Sequence, residues 1–366
     1  MRLLVRLFAT LVIALLTLVG HVHAQTPVAS PGASPVAGGE REVSFESGPD
    51  TLYGSLRVPA GATGPGPAVL IISGSGPTDR NGDQPGLPAG TNRHFADELE
   101  AIGVVSFRYD KIGSGETGLG THPMGEGVDY ELFLQEAWDA FELLALQPEV
   151  DPERIIVLGH SEGALFALDM AADESRDVRP AGIVLAAPVG ERYLDLLRGQ
   201  IGAAYDDLVE AGQLPEATAD ALREELDTAI AEIRETGSLG IQLTDPGVAA
   251  LLSPINMDFL YQIDQRDPAE LAANVPSEVP VLILHGLKDE QVLPHQPDRL
   301  EIAFAEAGHP DVMRVDIEHA NHIFRVIEGE PNAAEDYLDP TLPFSPDVGE
   351  ALETYLEPFL GIDDDA

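Results

Sequence analysis

The sequence predicts an α/β architecture, a mostly parallel sheet with helices on both faces. Three observations carry this. Several short apolar runs, such as residues 68–73 ("AVLIIS") and 281–284, are continuous rather than alternating, as strands buried on both faces are. Segments of helical period lie between those runs, and strands separated by helices pair in parallel through crossovers. Only residues 41–47 and 52–59 alternate polar with apolar, around the turn Gly48-Pro49-Asp50, so the folded part opens with an antiparallel hairpin.

The elements follow in order. After the hairpin and the buried run at 68–73 come a helix over 92–102, a strand over 104–109 and a long amphipathic helix over 130–146. A strand at 154–159 gives way at once to an Ala/Leu-rich helix at 163–172, and a strand at 182–187 follows. Farther on are a strand at 281–284, a helix at 299–307, a strand at 312–317 and a closing helix at 348–360. The rhythm breaks between residues 190 and 267, where there is no convincing strand, only helical segments such as 217–236. That interval reads as a helical cap inserted over the carboxyl edge of the sheet, the edge at which open α/β sheets bind ligands. The expected core therefore comprises residues 41–189 and 268–361, with an acidic tail at 362–366.

The N-terminus is read as an export signal. Arg2 and Arg6 precede an apolar stretch at 7–20, and Val22-His23-Ala24 offers a small-residue cleavage site, so residues 1–24 form a signal peptide. Residues 25–40 are a Pro/Ala/Ser/Gly linker with nothing to bury. The expectation is a secreted or envelope protein, not held in the membrane once the signal is removed.

Composition narrows the chemistry. The 366 residues carry a formal charge of −43, which argues against a nucleic-acid partner, since that would need a basic footprint. There is no cysteine, hence no disulfide, thiolate metal site or cysteine nucleophile. Ten histidines are present, but His94, His160, His285, His295 and His309 fall into no H-E-x-x-H or comparable spacing, so neither a metal nor a cofactor is expected.

The segment "RIIVLGHSEGALFAL", residues 154–168, carries the sharpest functional signal. A buried strand ends in Gly159-His160-Ser161-Glu162-Gly163 and a helix begins. This is the strand–Gly-x-Ser-x-Gly–helix nucleophile elbow, which presents one hydroxyl above the sheet beside a helix N-terminus. A serine nucleophile needs a base, and the base an orienting carboxylate. With this elbow they follow in the order Ser, Asp/Glu, His. Asp289 sits just past the strand in "VPVLILHGLKDEQVLP", and "RVDIEHANHIF" is a strand ending in a loop with two histidines. His322, deeper in that loop and followed by the apolar anchor Ile323-Phe324, is preferred to His319. Asp289 is preferred to Glu290 and to Asp316, which lies within a strand. Donors for an oxyanion are expected from the backbone N–H of Glu162 and, in the glycine-rich loop 70–83, from that of Ser75 or else Gly76. That loop lacks a P-loop ending, so phosphate binding ranks low.

The stretches "SGSGPTDRNGD", "RYDKIGSGET", "GHSEG", "HGLKDEQV" and "ANHIF" together resemble bacterial esterases of the α/β-hydrolase superfamily, relatives of serine aminopeptidases and acylaminoacyl-peptidase-like hydrolases. The resemblance covers most of the chain after the linker. It implies the α/β-hydrolase fold with a variable helical cap, a small-molecule ester as substrate, and a Ser161–Asp289–His322 triad. Ser73 stands where histidine is usual, which bears on how the loop is hydrogen-bonded, and Ile112 where arginine is common. Outside the triad, Asp79 and Arg80 are expected to pair with each other and fix the loop, the alternative being to bind a polar substrate group, and Arg108, Asp110 and Lys111 to form a structural charged turn beside the site.

Overall fold

The apolar runs become the strands of one sheet in a computed structural model, which describes residues 38–62, 64–176 and 178–361. The expected signal peptide, most of the linker and the acidic tail lie outside the described residues. The strands are β1 (Gly39–Ser47), β2 (Asp50–Val58), β3 (Gly66–Ile72), β4 (Val105–Tyr109), β5 (Val150–His160), β6 (Gly182–Ala186), β7 (Val281–Gly286) and β8 (Val312–Ile317). Their spatial order is β1-β2-β4-β3-β5-β6-β7-β8. β1 pairs antiparallel with β2, and β2 with β4; every later pairing is parallel.

Two strand boundaries differ from expectation. β1 begins inside the expected linker, because Gly39 and Glu40 already pair with Val58 and Arg57. The Glu40 carboxylate fixes that end by accepting from Arg57 and Arg108. β5 starts four residues before Arg154 and runs past Pro152; its register with β3 shifts between Gly66 and Ala68, so the proline sits where the ladder is already irregular.

Helices cover both faces. α1 (Thr91–Ala101), α2 (Tyr130–Ala145) and α3 (Gly163–Ala172) come from the first half. α2 is capped by the Asp129 carboxylate, which accepts from the Leu132 N–H at 2.9 Å. Between β6 and β7 lie α4 (Tyr193–Glu210), α5 (Glu216–Thr236), α6 (Pro246–Leu251), α7 (Met257–Asp264) and α8 (Pro268–Asn274). α9 (His295–Glu306), α10 (Ala333–Asp336) and α11 (Pro346–Leu360) complete the set. α9 opens four residues before Arg299 because Pro297 falls in its first turn, where a missing N–H is tolerated.

Strand periodicity divides the core. Val69 and Ile71 of β3 point to the face covered by Phe95 and Leu99 of α1 and Leu352 and Leu356 of α11. Leu70 and Ile72 point to the other, against Phe141 and Leu144 of α2 and Leu165 and Leu168 of α3. Each such side chain contributes roughly 1.5–3 kcal/mol on burial. This clamps the sheet so that the carboxyl ends of β3, β5, β7 and β8 form a fixed edge. Among the described residues no helix is long and apolar enough to cross a membrane.

Candidate active site

β5 ends at His160 and α3 begins at Gly163, so the chain must reverse within two residues. Ser161 does so with φ 57, a left-handed conformation of the order of 1–3 kcal/mol above the ordinary regions. Its N–H donates to the Ala186 carbonyl at 2.8 Å, and its carbonyl accepts from Ala164 at 3.0 Å. The flanking glycines are explained by close approach. A Cβ on Gly159 would lie 2.1 Å from the Gly163 oxygen, and one on Gly163 would lie 2.4 Å from the Ile72 oxygen. The strand–turn–helix passage therefore closes only without side chains at both positions, and it leaves the serine standing beside the N-terminus of α3.

Asp289 follows β7. Its Oδ1 accepts from the N–H groups of Gln291 (2.7 Å) and Val292 (2.9 Å), while Oδ2 lies 2.7 Å from His322 Nδ1. Burial pushes the Asp289 carboxyl up, but the adjacent His322, its hydrogen bond and the Val292 N–H outweigh that and hold it below the usual carboxylate value. The ionised carboxylate fixes the proton on Nδ1 and leaves Nε2 with its lone pair.

The loop carrying His322 is held from three sides. Phe324 is fully buried with φ 58 and packs edge-on against Phe95 and Phe344. The Asn321 side chain accepts from the Ile323 and Arg325 N–H groups. His160 Nε2 lies 2.9 Å from the His322 carbonyl oxygen, so that nitrogen is the donor. Burial, reinforced by His322, pushes the His160 imidazole down to about 3 and keeps it neutral.

Ser161 and His322 line one pocket, about 580 Å³ including its open mouth, with Gly74, Ser75, Thr78, Gln291 and Tyr337. Among the described residues no hydrogen bond yet joins the Ser161 hydroxyl to His322, a contact that commonly tightens when substrate arrives. The rejected neighbours lie elsewhere. His319 is exposed, Asp316 pairs with Arg314 at 2.9 Å, and Glu290 accepts from the Ala333 N–H.

The loop after β3 brings its donors to the same place. Ser73 donates to the Asp79 carbonyl (3.1 Å) and accepts from Asn92 Nδ2 (2.8 Å), which is how the loop is held without the usual histidine. The Ser75 carbonyl accepts from Thr78 Oγ1 and Gln84 Nε2. Among the described residues no acceptor engages the backbone N–H of Ser75, Gly76 or Glu162. Gly76 and Glu162 also line a second, mainly apolar pocket of about 770 Å³ including its mouth, walled by Ile112, Phe133, Leu251, Phe259 and Leu260. That pocket lies between α2 and the helices that follow β6, next to the serine.

One sequence expectation is corrected. Asp79 does not pair with Arg80; its carboxylate accepts from the N–H groups of Asn81 and Asp83, closing a tight turn. Arg80 instead reaches the buried Asp110 (2.9 Å), Glu116 (2.8 Å) and Glu42. The charged turn from Arg108 to Lys111 bonds outward, with Asp110 accepting from Arg80 and the Glu116 N–H. Arg108 binds Glu40, and Lys111 points to the Gly74 carbonyl. Sequence reasoning also missed His160 and Tyr193. His160 stands inside the elbow, a signal available at the outset, whereas Tyr193 has no local signature. Among the described residues no cluster of three or more His, Asp or Glu could hold a metal ion.

A mostly parallel eight-stranded sheet, a serine in a tight strand–helix turn after β5, and an Asp–His pair on the loops after β7 and β8 are the arrangement of the α/β-hydrolase fold. The chain has the α/β-hydrolase fold. A family model described as serine aminopeptidase, S33, matches residues 88–218. The chain is 27% identical over 288 residues to esterase EstD of Thermotoga maritima, covering 78% of this chain and 60% of that protein. It is 29% identical over 158 residues to the uncharacterised Rv2307c of Mycobacterium tuberculosis, covering 43% of this chain and 49% of that one. The chain thus spans only about half to three-fifths of these relatives. Among solved structures it resembles a thermostable carboxyl esterase from Bacillus coagulans, with TM-score 0.53, 18% identity and coverage of 88% and 99%. It also resembles the acylaminoacyl peptidase of Pyrococcus horikoshii, with TM-score 0.55, 16% identity and coverage of 90% and 43%.

Proposed function

We propose that this protein is an exported serine hydrolase that cleaves small carboxylic esters. The observation that carries the reading is the buried His322–Asp289 pair at 2.7 Å, whose histidine lines the same pocket as a serine held at φ 57. His322 Nε2 takes the Ser161 hydroxyl proton as Oγ attacks the ester carbonyl carbon. The negative charge that develops on the carbonyl oxygen is received by the N–H groups of Ser75 and Glu162, with Gly76 as the alternative loop donor. Collapse breaks the C–O bond to the alcohol, which leaves with the proton returned by His322. A water molecule, deprotonated by His322, then attacks the acyl-enzyme and releases the acid and Ser161. The apolar pocket beside Glu162 offers an apolar substituent of the substrate a place to bury. The relatives named as esterases support the same chemistry. Export rests on the charged, apolar and small-residue segments of residues 1–24, and N-terminal sequencing of the secreted protein checks it.

A second reading is favoured by the serine aminopeptidase model, which matches the segment containing the elbow. The same residues acting on an aminoacyl or acylaminoacyl amide need no different machinery. A thioesterase or acyltransferase would share it too, while a non-catalytic binding protein would have no use for an intact triad. The test is hydrolysis of p-nitrophenyl esters from acetate to palmitate beside aminoacyl p-nitroanilides, with wild type and Ser161→Ala. Ester turnover that drops at least about a thousandfold in the variant is expected. Turnover surviving in Ser161→Ala refutes the nucleophile, and activity on anilides alone moves the assignment to amides.

A further inference from the structure

Lys111 is buried on the turn after β4, and the acyl-transfer steps give it nothing to do. Its Nζ donates to the Gly74 carbonyl oxygen at 2.6 Å. That oxygen belongs to the Gly74–Ser75 peptide, whose other end is the Ser75 N–H. The ammonium also pairs with Glu162 Oε1 at 3.6 Å and lies 5.2 Å above the Phe133 ring. Glu162 Oε2 in turn accepts from the Tyr193 hydroxyl at 2.8 Å, and the Ser75 side chain adjoins the same phenol. Tyr193 is the first residue of α4, the first helix after β6. A buried ring therefore runs from the Gly74 carbonyl through Lys111 and Glu162 to Tyr193, and it joins the two peptide units whose N–H groups stand open.

We infer that Lys111 is a positioning residue for the oxyanion hole, fixing and polarising the Gly74–Ser75 peptide, with Glu162 and Tyr193 tying that peptide to the second donor and to α4. A cation on a carbonyl oxygen withdraws electron density through the peptide and strengthens the N–H at its other end. It also blocks the peptide rotation that would turn the Ser75 N–H away. Preorganised donors of this kind act on the charge formed in the transition state rather than on the neutral substrate. The inference rests on the ester-hydrolase reading, so the experiment separates the two.

Lys111→Met, Tyr193→Phe and Lys111→Met/Glu162→Gln are compared with wild type and Ser161→Ala on one p-nitrophenyl ester. The same set is titrated with a trifluoromethyl ketone, which forms an anionic tetrahedral adduct with an active-site serine. Lys111→Met is expected to lower kcat by about 10- to 100-fold with KM within about threefold, and to weaken the ketone by a matching factor. Tyr193→Phe is expected to shift both in the same direction by a smaller factor. The double variant decides between positioning and mere charge balance. If Lys111 only neutralised buried Glu162, removing both charges would restore the rate; positioning requires the double variant to stay slow. A wild-type kcat in Lys111→Met, a restored rate in the double variant, or a change confined to KM overturns the inference. Should Lys111→Met fail to fold, the double variant and Tyr193→Phe decide the question by the same criteria. If Ser161→Ala keeps the wild-type rate, the hydrolase reading itself has failed and the inference falls with it.

Discussion

Glu136 offers a quantitative test of how this core handles charge. It sits on α2 with no exposed surface, and its two carboxylate oxygens lie 3.3 and 3.4 Å from the Ile112 N–H, long contacts that satisfy it poorly. Burial pushes the carboxyl from its ordinary 4.5 up to about 8, with the Ile112 N–H and Lys111 opposing and Asp50 and Asp139 adding to the rise. Because the folded-state value lies above the unfolded one, the folded protein holds this proton more tightly between those two pH values. Its contribution to stability is therefore full below about pH 4.5 and is lost as pH rises through about 8. At about 1.36 kcal/mol per pH unit the whole loss is at most about 5 kcal/mol. Glu136→Gln keeps the shape and removes the titration. Urea unfolding of variant and wild type at pH 5, 7 and 9 isolates the effect, since every other titrating group cancels in the difference. The variant should match wild type within about 1 kcal/mol at pH 5 and exceed it by about 2–5 kcal/mol at pH 9. A difference independent of pH, or a variant less stable at pH 9, would mean that the carboxylate is solvated or paired in the folded state.

Two further predictions probe the site. Asp289→Asn replaces the carboxylate 2.7 Å from His322 Nδ1 with an amide that can stabilise the wrong tautomer, so kcat on a p-nitrophenyl ester should fall by about ten-thousandfold, with little change in the melting temperature; a fall below tenfold would mean that another group orients His322. Gly163→Ala places a methyl 2.4 Å from the Ile72 oxygen, which should destabilise the fold by about 1–3 kcal/mol in urea. It should also slow labelling of Ser161 by a fluorophosphonate, and unchanged labelling would show that the elbow tolerates separation from β3.

The parts legible in the sequence were those whose cause is local or periodic. Continuous apolar runs announced the doubly buried strands, because only both-face burial removes the polar residue from every second position. The elbow was legible because the close approach of Gly159 and Gly163 admits no other residue, and Asp289 and His322 because each follows a strand of that same sheet. Partner choice was not legible where it depends on distance across the fold. Arg80 passes over its neighbour Asp79 to reach Asp110, thirty positions on, because the Asp79 oxygen is already taken by the N–H groups of its own turn. Tyr193 meets Glu162 only once the helices after β6 are in place. Lys111 lies between these cases. In a chain of charge −43 with 20 basic residues, only Lys111 and Lys288 are lysines. An arginine carries a planar fork suited to two parallel acceptors, whereas a lysine is a compact point charge that can sit against single oxygens in different directions. The site around residue 111 is of the second kind, with one carbonyl oxygen at 2.6 Å, one carboxylate oxygen at 3.6 Å and an aromatic face filling the remaining side. The contacts at residue 111 thus suit the smaller cation. The structure supplies the reason, a peptide whose far end opens into the pocket of Ser161.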